Sequence, residues 1–391
     1  MRVLMVIPAL GNVYGGPTKV VLELTESIGK LGISIDIVAT NANGSTILHV
    51  PLEQWISEDH YRVQFFPYLD LLDYKFSLSL TCWLFKNVSN YDLVHTNAIF
   101  SYPVLAAHWA CQFHKVPYIT TPHGMMETWA LSYKAWKKKL YFHFLEKPAL
   151  EMAVAIQTMA STEAENINSL GLKTPSVIVP NGIYYEDFAS LPNPEIFHQQ
   201  FPQTRNKTLI IFLGRIDPKK GLDLLAPAFA TVYHKFDNLH LILAGPDNIG
   251  FLLTAKEYFI KAGCINGVTF TGMLTGEMKY AALAAASIYV APSYSEGFSM
   301  SILEGMATGL PCVITTGCNF PEAAMANAAM IVDIDSASIA DALIQILENS
   351  QEAKEMGDRA RQFILKNYTW DKVALQMISV YKTIIKTDRG G

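Results

Sequence analysis

The sequence predicts an α/β protein of two doubly wound domains, each a largely parallel sheet layered with helices. Three observations lead there. Short apolar runs of strand length alternate with helical patterns along the whole chain. The alternation restarts in the second half, past a helix-breaking Leu191-Pro192-Asn193-Pro194. At 391 residues the chain is also too long for one ordinary core. A hydrophobic content of 50% against 17% charged residues fits wide buried sheets and excludes a disordered chain.

In order along the first half, strands are expected at residues 3–8, 34–39, 93–95, 118–121, 155–158 and 176–179, with helices at 18–31, 102–114 and 134–152. The opening Met1-Arg2-Val3-Leu4-Met5-Val6 reads as a first strand, being too short for a signal peptide. The second half repeats the pattern with strands at 209–213, 239–244, 268–271, 288–290, 312–314 and 330–332, each followed by a turn and a helix. A final amphipathic helix follows Thr369-Trp370-Asp371, with Val373, Leu375, Met377, Ile378, Val380, Tyr381 and Ile384 as its apolar residues. No apolar run is long enough to span a membrane. The five cysteines, Cys82, Cys111, Cys264, Cys312 and Cys318, lack CxxC spacing and read as reduced thiols of a cytoplasmic protein. A net charge of -5 argues against a nucleic-acid partner.

The chemistry concentrates at the carboxyl ends of expected strands, where open α/β sheets bind ligands. Pro292-Ser293-Tyr294-Ser295-Glu296-Gly297-Phe298-Ser299 forms a polar turn between the strand at 288–290 and an apolar helix. Amides at such a helix start suit phosphate or hydroxyl oxygens. Glu296 stands in the turn and Glu304 about two turns into the helix, so both can reach one ligand at different points. A solvated Glu at each end of a core helix is the plain alternative. Against it, Glu304 sits among Ile302, Leu303, Met306, Ala307 and Leu310 and therefore needs hydrogen-bond donors.

Gly214-Arg215-Ile216-Asp217-Pro218-Lys219-Lys220-Gly221 follows the strand at 209–213. Alone it reads as a solvated basic loop. Beside the two carboxylates it suits a diphosphate, with Arg215 as a fork and Lys220 as a mobile charge. Gly15-Gly16-Pro17-Thr18 joins the first strand to the first helix and lets an oxygen ligand approach backbone amides. Its spacing is not that of a dinucleotide fingerprint, which counts against a nicotinamide-dependent oxidoreductase. His123 stands at the carboxyl end of the strand at 118–121; a lone His is more often structural, but this is where sites gather. His95 ends another strand, and a structural role weighs evenly against ligand contact.

The segment Pro292–Pro311 resembles the signature of the retaining glycosyltransferases of family 4: a Glu, seven residues and a second Glu inside a Pro-Ser…Glu-Gly-Phe pattern, closing on Ala-x-Gly-x-Pro. The resemblance spans nearly the whole chain and is strongest in its second half. It implies the GT-B fold, two Rossmann-like doubly wound domains facing a deep cleft. The first, 1–190, would serve the acceptor and be completed by a returning tail helix at 370–388; the second, 191–369, would hold a nucleotide-sugar donor. By the same resemblance Arg215 and Lys220 hold the donor diphosphate, and Glu304 accepts from the ribose. Glu296 with the amides of Gly297, Phe298 and Ser299 holds the sugar, His123 touches the transferred sugar, and Gly15 and Gly16 shape the donor and acceptor sites. The catalytic set is then Glu296, His123, Arg215 and Lys220. One departure leaves a role open: the Asp often found soon after Pro-Asn-Gly-Ile is displaced here to Asp187 in Gly182-Ile183-Tyr184-Tyr185-Glu186-Asp187.

The activity so implied is retaining transfer of a hexose from a UDP or GDP donor, with ADP less favoured, to a saccharide or lipid-linked acceptor in surface polysaccharide or glycolipid assembly. It needs no metal and no cofactor. A nucleotide-sugar epimerase or a sugar phosphorylase on the same fold is the rival. Trp129, Lys134, Trp136, Lys137, Lys138 and Lys139, followed by Leu140, Tyr141, Phe142, Phe144 and Leu145, suggest a basic aromatic helix. Residues 129–145 would then make a peripheral contact with the inner face of a membrane. A helix with one buried aromatic face and solvated lysines fits equally well.

Overall fold

The computed structural model describes residues 1–70, 74–126 and 140–389. The first strand, β1 (Arg2–Ala9), is buried without interruption from Val3 to Val6, as expected of a strand covered on both faces. The chain continues through β2 (Ser34–Thr40), a small hairpin of β3 (Ala42–Asn43) and β4 (Thr46–Ile47), β5 (Trp55–Ser57) and β6 (Arg62–Phe66). It then adds β7 (Leu93–Asn97), β8 (Tyr118–Thr121), β9 (Ala155–Thr158) and β10 (Ser176–Ile178). Apart from the hairpin these make one sheet in the order β10-β9-β8-β7-β1-β2-β6-β5, parallel except for the edge pair β5–β6. Strand β6 was not expected from sequence. Its Arg62 forks onto the buried Asp36 of β2 at 2.9 and 2.7 Å, and Tyr91 donates to the same carboxylate at 2.8 Å. The buried charge is thereby paired and fully hydrogen-bonded.

The second sheet has β11 (Thr208–Leu213), β12 (Leu239–Ala244), β13 (Val268–Gly272), β14 (Ile288–Ala291), β15 (Cys312–Thr315) and β16 (Met330–Val332). Its order is β13-β12-β11-β14-β15-β16, parallel throughout. The order reverses between β11 and β14 here, and between β1 and β7 in the first sheet. Ligands bind at such switch points, beyond the carboxyl ends of the strands.

The chain divides into two units, Met1–Gly182 with Trp370–Gly391, and Ile183–Thr369. Pro192 and Pro194, expected at the join, lie inside the second unit, because Phe188 and Phe197 on either side of them enter its core. The last helix, Trp370–Arg389, packs on the helix Gly16–Lys30 of the first unit. Its Trp370 is 1% exposed and donates from Nε1 to Glu23 at 2.9 Å, and Gln376 donates to the Ile178 carbonyl. His95 takes the structural role: it is fully buried, with Nδ1 2.6 Å from the Tyr381 hydroxyl and Nε2 2.6 Å from Thr121 Oγ1.

The helix expected at 134–152 is only partly within the described residues. Trp129, Lys134, Trp136 and Lys137 to Lys139 lie outside them. Its later part forms a π-helical turn, Phe142–Glu146, and then the helix Lys147–Glu151. Pro148 has no N–H to return to a carbonyl one turn back, which accounts for the widened turn before it. Leu140 and Phe144 are exposed. Among the described residues no helix is long and apolar enough to cross a membrane.

Burial pushes the imidazoles of His95 and His108 down to about 3, and His123 down to about 4. The unfolded chain therefore binds protons that the folded chain refuses, between the ordinary histidine value of about 6.5 and these lowered ones. Stability is fully present above about pH 6.5 and is lost as pH falls, by up to about 1.4 kcal/mol per pH unit per buried histidine. Urea midpoints should thus be level from pH 7 to 8 and drop from 6.5 to 4.5, where the raised carboxyls of Glu146 and Glu163 offset only part of the loss from the three imidazoles. A level profile over the lower range would contradict neutral buried imidazoles.

Candidate active site

The second-unit site is built by two loops at the β11–β14 switch point. After β11, Asp217 Oδ1 accepts from the Lys219 amide at 2.9 Å and caps a short turn, Pro218–Lys220, which aims Lys220 back across the sheet. Gly221 closes that turn at φ +69°, where a side chain would be strained, and a Cβ there would stand 2.0 Å from the Pro292 carbonyl oxygen. The two loops therefore touch backbone to backbone.

After β14, the Glu296 amide donates to the Gly317 carbonyl at 2.8 Å, and Asn319 Nδ2 donates to the Glu296 carbonyl at 2.5 Å. A Cβ on Gly317 would lie 2.5 Å from the carbonyl oxygens of Ser293 and Tyr294, so this clamp also needs glycine. Lys220 Nζ lies 2.5 Å from Glu296 Oε1, and Ser293 Oγ donates to the same oxygen at 2.6 Å. Both charged side chains are 12% exposed. Burial pushes the Glu296 carboxyl upward, but the charge and hydrogen bond of Lys220, with Ser293, outweigh it and hold the group below its ordinary value.

The helix Met300–Thr308 starts directly after this turn, with Ser299 as its N-cap residue. Phe298 is anchored between Phe320 and Tyr368, at ring distances of 5.1 and 5.9 Å. It thereby fixes the backbone of Gly297 and Ser299 at the helix entrance. Glu304 comes little more than one turn into the helix, closer to its start than the sequence suggested. It is buried, and its Oε1 lies 2.8 Å from Lys279 Nζ.

Lys220 and Glu296 are thus brought together and Glu304 stands on the adjoining helix. Arg215 is turned outward, 56% exposed, with Nη2 3.3 Å from Asp217 Oδ2. Asp187 accepts from the Tyr280 hydroxyl at 2.6 Å. The chain also carries an Asp-x-Asp sequence, Asp333-Ile334-Asp335, a spacing that metal-dependent transferases use. Here Asp335 caps the helix Ser336–Glu348, accepting from the Ser338 amide and hydroxyl at 2.8 and 2.7 Å.

The first unit offers its own site at the β1–β7 switch point. A pocket of about 220 Å³ is lined there by Ile7, Ala9, Thr18, Lys75, Ser101 and Met125 among others. Among the described residues the buried hydroxyls of Thr18 and Ser101 have no partner, and each belongs to the start of a helix, Gly16–Lys30 and Tyr102–His114. Gly15 turns at φ +70°, and the positions a Cβ would take on Gly15 and Gly16 face open space. His123 has φ +53°, and its Nε2 donates to Asn97 Oδ1 at 3.0 Å, which leaves Nδ1 of the neutral ring as an acceptor.

Two buried carboxyls that sequence reasoning missed hold this edge in shape. Glu163 accepts from the Gly124 and Met159 amides at 2.9 and 2.8 Å. Glu146 accepts from the Phe100 amide at 2.6 Å, and burial pushes its carboxyl up to about 7. No motif marks either one. Glu163 stands among the polar residues Ser161, Thr162, Glu165 and Asn166, so its burial has no signal in the sequence.

The profile described as Glycosyl transferases group 1 matches residues 194–363, and that described as Glycosyltransferase Family 4 matches residues 14–187. The chain belongs to the group 1 glycosyltransferases of family 4 type. The phosphatidyl-myo-inositol mannosyltransferase of Mycobacterium leprae (strain TN) is 25% identical to this glycosyltransferase, across 98% of its chain and 97% of the relative. In fold it resembles sucrose-phosphate synthase from Thermosynechococcus elongatus, with a TM-score of 0.79 at 20% identity over 99% of this chain and all of that one. It also resembles Anabaena Alr3699/HepE, solved in complex with UDP, with a TM-score of 0.77 at 16% identity over 98% of this chain and all of that one. The two Rossmann-like units are those of a GT-B glycosyltransferase.

Proposed function

We propose that this glycosyltransferase moves a hexose from a UDP or GDP donor to a saccharide or lipid-linked acceptor, with retention at the anomeric carbon and without metal or cofactor. The observation that carries this reading is the Lys220–Glu296–Ser293 cluster at the β11–β14 switch point, with a helix start beside it. A cation, a carboxylate and outward-facing amides there suit a sugar joined to a diphosphate.

In the proposed reaction the bond between the anomeric carbon and the diphosphate oxygen breaks first. Lys220, Arg215 and the amides near Ser299 take up the charge that develops on the diphosphate. Glu296 holds sugar hydroxyls and Glu304 those of the ribose, while His123 accepts from a sugar hydroxyl through Nδ1. The acceptor oxygen bonds to the same face of the anomeric carbon, and its proton passes to the departing phosphate oxygen. No side chain is bonded to the sugar at any stage, so a covalently trapped glycosyl residue would overturn this route.

The acceptor is assigned to the pocket of the first unit. Its unpartnered Thr18 and Ser101 hydroxyls suit a polyhydroxylated group, and Lys75 suits an anionic one. The relative from Mycobacterium leprae, a phosphatidyl-myo-inositol mannosyltransferase by name, supports a lipid-linked acceptor. The UDP in the HepE complex supports a nucleotide donor. The protein would then work in the cytoplasm, against the inner face of a membrane where the acceptor is a lipid.

Slow turnover of UDP-glucose or GDP-mannose in water tests the reading. Proton NMR should show the α-anomer of the free sugar appearing first, ahead of mutarotation. A β-anomer would exclude retention. Isomerised donor, or cleavage that requires phosphate, would instead identify the epimerase or the phosphorylase.

A further inference from the structure

Glu304 does not meet the donor site alone. The helix Gly276–Ala285 packs beside the helix that carries it and delivers Lys279, whose Nζ lies 2.8 Å from Glu304 Oε1. The side chains are 16% and 8% exposed, so this is a largely dehydrated pair. The same ammonium stands 4.5 Å from the centroid of the Tyr280 ring. Tyr280 is fixed in turn: its hydroxyl donates to Asp187 Oδ2 at 2.6 Å, and its ring meets Phe188 edge-on at 5.4 Å. Asp187, Tyr280, Lys279 and Glu304 thus form one ordered chain that ends at the carboxylate.

We propose that Lys279 is a positioning residue that fixes Glu304 for recognition of the donor ribose. The proposal rests on Glu304 being the ribose acceptor, as proposed for the reaction. A carboxylate that no fixed donor orients must be ordered by the ligand itself, which weakens binding. Lys279, 2.8 Å from Oε1, holds the group in one orientation, so the ribose meets a carboxylate already in place. The diphosphate cations Arg215 and Lys220 stand on another loop, after β11, and are untouched by a change at 279. Loss of Lys279 therefore removes discrimination at the ribose and leaves the contacts to the phosphates.

The test compares UDP and GDP with their 2′,3′-dideoxy counterparts by calorimetry on the full-length protein. Wild type is expected to prefer the ribose form by about tenfold or more, the scale of a lost hydrogen bond to a charged group. Lys279→Met keeps an apolar stem of similar length, and in it the preference should fall to within about twofold while affinity for the dideoxy nucleotide stays level. That level affinity also reports an intact fold. Lys279→Arg, which keeps the charge, should restore most of the preference.

Equal weakening of both forms in Lys279→Met would reduce the residue to a structural one and overturn the proposal. So would an undiminished preference. A wild-type protein that binds ribose and dideoxy forms alike, or neither nucleotide, would overturn the ribose reading itself. That failure is visible before any Lys279 variant is made.

Discussion

Replacing Lys220 by alanine is expected to lower turnover about 10²- to 10³-fold, the usual cost of removing one preorganised charge donor from a developing anion. Two losses combine. The leaving diphosphate loses a cation, and Glu296 loses the partner that lies 2.5 Å from its Oε1 and helps keep it ionised. The second loss should appear without any donor present, as a lower unfolding midpoint, because a partly buried carboxylate is left with Ser293 alone at that oxygen. Lys235→Ala is the matched control. Its ion pair with Glu348 is about half exposed on both sides, and its removal should change neither rate nor stability measurably. Nucleotide release from the donor that the enzyme turns over gives the rate. A loss of less than about threefold in Lys220→Ala would remove this lysine from the transition state.

Trp370→Ala should have the largest effect on stability, about 3–5 kcal/mol. Trp370 is among the largest fully buried side chains, and it lies against the backbone of Gly182, where a Cβ would come within 2.8 Å of the indole. Its removal leaves a cavity, takes the indole donor from Glu23 and loosens the start of the last helix. Trp370→Phe should recover a large part of the packing but not the hydrogen bond. Hydrogen exchange should place the loss on the first unit, with amides on Gly16–Lys30 and Trp370–Arg389 exchanging faster and those of β11 and β12 unchanged. Uniform acceleration across both units would mean that the two unfold as one.

The legible part of the sequence was the part governed by local pattern. In strands such as β1 and β11 the interior is a continuous apolar run, because a parallel strand is covered on both faces. The turn containing Glu296 could be read because its residues lie in one short stretch, and the loop ending at Gly221 because that glycine is forced by a backbone contact with Pro292. Strand β6 escaped because Arg62 and Gln64 interrupt its hydrophobic run. Only the structure shows Arg62 turned onto Asp36, a partner 26 residues away. Lys279 escaped for a related reason. Nothing in its own helix announces a partner 25 residues further on, and a lysine on a helix is ordinarily a solvated one. Glu146 and Glu163 are similar, since they act through backbone amides, which leave no mark in the sequence. Asp187 takes its place only through Tyr280, a partner 93 residues away.

The return of the last helix to the first unit sets an order on biosynthesis. A ribosome releases the whole of Ile183–Thr369 before Trp370 and Tyr381 exist outside the exit tunnel. The second unit has its complete set of strands and can close on itself while the first is still missing a helix. During that interval the surface of the helix Gly16–Lys30 that meets Trp370, and the His95 ring that awaits Tyr381, are uncovered. Nascent chains arrested before residue 370 should therefore expose a protease-sensitive, chaperone-binding first unit beside a folded second one. The unit made first is the one finished last.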